Sequence, residues 1–129
     1  MLLEGLIAIL IFSLGILAIV GMQGAAVKAS GDAKYRSDAA LLANQLIGAM
    51  WVSDRAPATL KTSFETNGTG YNAWLADVGA TLPGVAANPP QVVVDAMNPA
   101  TLGQVTVTIF WQAPNESTAH NHSVIAQIR

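Results

Sequence analysis

No charged side chain interrupts residues 5–27, and within that run of 23 positions only Ser13 and Gln23 are clearly polar. The run contains no proline. At about 1.5 Å per residue, a helix of this length spans the roughly 30 Å hydrocarbon core of a bilayer. The run is longer than the apolar region of a secretory signal, and no basic residue precedes it. The pattern therefore predicts a membrane-spanning or otherwise lipid-compatible helix over residues 1–27, followed by a soluble part over 28–129.

Beyond Lys28 the pattern turns amphipathic. Tyr35, Ala39, Leu42, Leu46, Ala49 and Met50 recur at steps of three and four, which marks one helical face. Asp32 and Arg36 stand four apart with the acid first, an arrangement that favours helix slightly. The first proline is Pro57, and Ala56 before it is biased away from helical dihedrals. One helix of about 50 residues is expected, ending near residue 55.

Residues 57–71 read as a loop, with Asn67-Gly68-Thr69-Gly70 as its strongest turn signal. Asn72 is expected to cap a short helix carrying Trp74, Leu75 and Val78 that stops near Gly79. Leu82-Pro83-Gly84 then turns the chain. The last third alternates with a period of two. Val105, Val107, Ile109 and Trp111 share one face of a strand over 104–112. Valines at 92, 93 and 94 mark a second strand over 91–95, and Val124, Ala126 and Ile128 a third over 120–128. The connections suit antiparallel hairpins. The predicted architecture is α+β: a long N-terminal helix, apolar then amphipathic, packed against a small antiparallel sheet. Trp74 and Trp111 are expected to fill the layer between them.

Composition narrows the function classes. Of 129 residues only 11% are charged, and the formal net charge is −2. With no basic patch or aromatic-plus-basic stripe, nucleic acid is not an expected partner. There is no cysteine, which rules out disulfides and thiolate metal sites. Once the anchor and its amphipathic extension are set aside, about 70 residues remain, a size at which stability is marginal.

Candidate chemistry is sparse. Asp54, Glu65, Asp77 and Asp95 fall on separate predicted elements, and neither a phosphate-binding glycine loop nor a nucleophile motif is present. The expectation is a non-enzyme with no cofactor. His120 and His122 share a strand face, but no cysteine or acid pair completes a metal set, and exposed edge-strand histidines are the expected role. The triplets beginning at Asn67, Asn115 and Asn121 match a glycosylation acceptor pattern that arises often by chance in polar loops. Glu4 is the sharpest residue, because a carboxylate at the edge of lipid costs a few kcal/mol. Gly15, Gly21 and Gly24 are small residues of the kind that let helices approach closely or give way under load.

The segment Leu2-Leu3-Glu4-Gly5-Leu6-Ile7-Ala8-Ile9-Leu10-Ile11-Phe12 resembles the N-terminus of type IV pilins and pseudopilins. Ser13-Leu14-Gly15-Ile16-Leu17, Gly21-Met22-Gln23, Arg36-Ser37 with Leu41-Leu42-Ala43, Trp74 ahead of Leu82-Pro83-Gly84, and Val107-Thr108-Ile109-Phe110-Trp111 are similar to the pilus-modification (PilV) branch of minor pilins. The resemblance implies a pilin-like fold and a subunit held in a bacterial inner membrane, with its C-terminal domain in the periplasm, before it enters a surface pilus. It implies partnership with other major and minor pilins through the N-terminal helix, and with membrane lipid before assembly. Glu4, with Leu2 and Leu3 beside it, is implied to pair with the N-terminal amine of a neighbouring subunit.

The family also implies a precursor whose basic leader a prepilin peptidase removes before methylating the new N-terminus. Two residues precede Leu-Leu-Glu in the family pattern, where this chain has Met1 alone. Lys28, Lys34 and Arg36 would by themselves draw the C-terminal side to the cytoplasm, and a basic leader reverses that count. The alternatives from the same residues are a minor pseudopilin of a type II secretion system and a single-pass anchored binding protein.

Overall fold

The computed structural model describes all of residues 1–129. The chain forms α1 (Leu2–Val52), α2 (Pro57–Phe64), α3 (Thr69–Thr81), β1 (Gln91–Val94), β2 (Gln104–Trp111) and β3 (His120–Gln127). It divides into two compact units, Met1–Lys34 and Tyr35–Arg129.

The first unit is helix throughout. Its hydrogen-bonded ladder runs unbroken past Gly5, Gly15, Gly21 and Gly24. Its large apolar side chains are exposed, Leu10, Ile11, Phe12 and Leu17 among them. The hydroxyl of Ser13, one of the two polar side chains in the run, donates to the Ile9 carbonyl at 2.7 Å and so satisfies itself within the helix.

In the second unit α1 buries Ala39, Leu42, Ala43, Leu46 and Met50, with Tyr35 and Ile47 packed at the margins. This corrects the predicted stripe at one place. Ala49 is exposed and Ala43 takes the inward position. At about 100° per residue, 39, 43, 46 and 50 cluster within a narrow arc, whereas 49 lies about 90° off its centre. The helix also ends earlier than expected, at Val52. Ser53 donates both its main-chain N–H and its hydroxyl to the Met50 carbonyl, at 3.3 and 2.9 Å. Asp54 then accepts from the Ala56 N–H at 3.1 Å and from the Thr59 hydroxyl at 3.0 Å. These side-chain bonds compete with the helix before Pro57 is reached.

Residues expected as loop contain a second helix. Pro57 opens α2, where its missing N–H costs nothing, and Leu60 is fully buried. Asn67 then adopts a left-handed conformation (φ 76°), a role that asparagine fills better than most residues. The cap of α3 is Gly68, not Asn72, and the helix runs past Gly79 to Thr81. Tyr71, Trp74 and Val78 form its buried face at steps of three and four. The turn after Leu82 is tied to the sheet by the Gln112 N–H, which donates to the Pro83 carbonyl at 3.0 Å.

The sheet is a three-stranded antiparallel meander in the order β1-β2-β3. Val107 is the centre of its register, opposite Val92 on one side and Val124 on the other. Val92, Val94, Val105, Val107, Ile109 and Trp111 face inward, joined by Ile128 just past β3. Together with α1, α2 and α3 they form a single apolar core with no buried charged side chain. Gly103 (φ 78°) closes the β1–β2 connection, and its carbonyl accepts from the Ile128 N–H at 2.9 Å. A side chain there would run into the Ile128 carbonyl oxygen, so only glycine fits.

Candidate functional site

Leu2, Leu3 and Glu4 form the first turn of α1, and all three are exposed. The Gly5 N–H donates to the Met1 carbonyl at 3.1 Å. A carboxylate in a first turn faces the positive end of the helix dipole, which favours it there. No basic side chain of the same helix comes near it. Lys28, the first in sequence, is 24 residues on, about 36 Å along a helix.

Gly15, Gly21 and Gly24 lie in open space: an added Cβ at each would meet nothing within 4 Å. Packing within this chain therefore does not require glycine at these positions. The helical segment 2–27 presents a continuous apolar surface that the chain itself does not cover, and it is long and apolar enough to cross a membrane.

The other candidate residues have local structural roles. Glu116 and Trp111 both contact the His120 ring. Its Nε2 lies 2.8 Å from a Glu116 carboxylate oxygen, and its ring stacks on Trp111 with centroids 5.9 Å apart. Glu116 lies in the turn after β2, which carries it back onto the start of β3. His122 shares the inward side of β3 with His120, opposite Ile109. Asn115, like Asn67, is a turn residue with positive φ (69°), which explains asparagine at both places without glycosylation. Asn121 is exposed on β3.

Asp54 opens the turn into α2. Glu65 pairs with Lys61 at 3.7 Å, one helical turn away. Asp77 accepts from the Gln45 amide at 3.4 Å. Asp95 accepts from Thr101 and from the N–H groups of Met97 and Asn98. Thr101 first, then Asn98 and Met97, hold its carboxyl below the usual range against opposing desolvation. Burial raises the Tyr71 phenol, whose hydroxyl donates to the Pro90 carbonyl at 2.6 Å.

Sequence reading also overlooked an apolar groove of about 510 Å³ between α3 and the turn that follows it. Leu75, Leu82, Val85 and Pro89 line it, and no titratable side chain does. Its only signal in sequence was the Pro/Gly-rich composition of residues 82–90.

Compared with protein-family models, curated proteins and solved structures, this chain matches none.

Proposed function

We propose that this chain is a minor pilin, a structural subunit that waits in a bacterial inner membrane and is drawn from it into a type IV pilus. The observation that carries this reading is a single helix with two chemistries. An uncharged run of 23 residues, opened by one carboxylate, leads without interruption into an amphipathic half that builds the core of a folded domain.

That construction supports two successive environments. In lipid, the exposed apolar side chains of residues 2–27 are solvated by acyl chains. On extraction, the same side chains pack against the helices of neighbouring subunits and remain out of water. The domain built on Tyr35–Arg129 needs no rearrangement in this process, because its core is complete within the chain. Gly15, Gly21 and Gly24, which its own packing does not use, are available for close approach by neighbours.

Glu4 supplies register. Buried among helices without a cation, its carboxylate is expensive; opposite the N-terminal amine of an adjacent subunit it is satisfied. One axial offset between subunits is thereby favoured over the others. Before assembly the partner is membrane lipid, with the domain on the periplasmic side, and prepilin peptidase acts on the precursor.

The test is Glu4→Ala in cells. Membrane insertion is expected to be unchanged, and the amount of the chain recovered in sheared surface filaments is expected to drop. Recovery at the normal level would remove the role assigned to Glu4.

A further inference from the structure

The domain Tyr35–Arg129 is acidic, with Asp38, Asp54, Glu65, Asp77, Asp95 and Glu116 against four basic side chains. Two of those four, Arg55 and Arg129, nevertheless border one hollow of about 490 Å³, and no carboxylate side chain lines it. Three segments build it: the entry to α2, the β1–β2 connection and the residues after β3. Its apolar part comes from Pro57, Pro99, Leu102 and Ile128. Ile128 is buried, and the bond from its N–H to the Gly103 carbonyl fixes its place. Pro99 and Leu102 stay exposed.

Neutral oxygens hold both guanidinium groups. Arg55 Nη1 donates to the main-chain oxygen of Arg129 at 3.2 Å. With the Gln127 amide oxygen turned toward it, Arg129 donates from Nη2 and Nε to that oxygen at 2.7 and 3.1 Å. Each planar fork carries five N–H donors, so most of each is unspent. The acids closest in sequence are committed elsewhere. Asp54 accepts from the Ala56 N–H and the Thr59 hydroxyl, and the cation that acts on Asp95 is Lys61. A chain end at Arg129 would add one α-carboxylate, which offsets one guanidinium and leaves the other without an acid.

We propose that this hollow binds a small organic acid, as a carboxylate joined to an apolar body. Arginine forks match carboxylates in geometry and charge, and the apolar walls take the body out of water. The volume suits a ligand of that class. The two halves of the site select it together. A neutral apolar molecule leaves both guanidinium groups unanswered, and a bare anion leaves Pro99 and Leu102 in water. The inference does not depend on the pilin reading, since it concerns the folded domain alone.

The test titrates para-fluorophenylacetate into the full chain in detergent micelles, followed by fluorine NMR of the ligand and nitrogen-15 NMR of the arginines. Saturable binding is expected, with the Nε–H resonances of Arg55 and Arg129 shifting together. Both side chains are exposed, so replacing them leaves the core intact. Arg55→Gln and Arg129→Gln should each weaken binding by about threefold, and the two together by about tenfold. Lys61→Gln removes the same charge outside the hollow and should change nothing. Uptake by micelles is common to all variants and cancels in the comparison. At equal concentration, para-fluorophenylacetamide, which keeps the body without the charge, should not compete, nor should acetate or inorganic phosphate, which lack the body. No saturable binding, undiminished binding by the double variant, an equal loss with Lys61→Gln, or competition by any of the three would overturn the proposal.

Discussion

The indole N–H of Trp74 donates to the main-chain carbonyl of Leu42 at 2.9 Å, and both groups are buried. This bond pins α3 to α1 within the folded domain. Trp111 offers a contrast, because its indole N–H is buried with no hydrogen-bond partner. Trp74→Phe forfeits a buried bond worth about 1 kcal/mol, whereas Trp111→Phe removes a donor whose desolvation is already uncompensated, by about 1–3 kcal/mol. Trp74→Phe should therefore lower the unfolding midpoint more than Trp111→Phe does, as followed by near-ultraviolet circular dichroism of the full chain in detergent. The reverse order would show that packing volume, not hydrogen bonding, sets the difference.

Much of this domain was legible in the sequence because its signals are periodic. Alternation from Val105 to Trp111 gave the inward face of β2, and the three- and four-residue steps from Tyr35 to Met50 gave the buried side of α1. The errors fell where periodicity is too short to read. α2 has only eight residues and one fully buried side chain, Leu60, and the turn signal of Asn67-Gly68 overshadowed it. The end of α1 was misjudged because Ser53 and Asp54 act through side-chain bonds that propensity does not count. Glu116 was missed as a neighbour of His120 because the connection between β2 and β3 folds back in a way that spacing does not reveal. At the N-terminus the sequence is informative about solvent and silent about contacts. The run 5–27 reads at once as lipid-compatible, yet nothing within the chain meets Gly15, Gly21 or Gly24.

Asp95 makes the loop between β1 and β2 sensitive to acid. Its folded pKa is held below the unfolded value, so its contribution is complete above that value, near pH 4, and is lost as pH falls through the folded one. Asp95→Asn keeps an acceptor but removes the charge. The wild-type chain should be the more stable at neutral pH, and the gap in thermal midpoint should close on acidification below about pH 4. A gap that stays constant from pH 7 to pH 3 would show that Asp95 does not contribute through its charge.

Substituting Gly15, Gly21 and Gly24 together by Ile separates folding from assembly. None of the three touches another part of the chain, so the domain's thermal midpoint should not change. Close helix packing in a filament would be obstructed, and recovery in sheared filaments should fall. Unaltered recovery would show that these glycines do not mark helix contacts.

The central claim is that residues 2–27 exchange lipid for other helices. A photo-reactive residue at Leu6, introduced in cells and followed by shearing of surface filaments, tests it most directly. The account predicts crosslinks to other pilin-like subunits in the sheared fraction. Crosslinks to lipid alone, with the chain confined to the membrane fraction, would contradict it and leave α1 a static anchor.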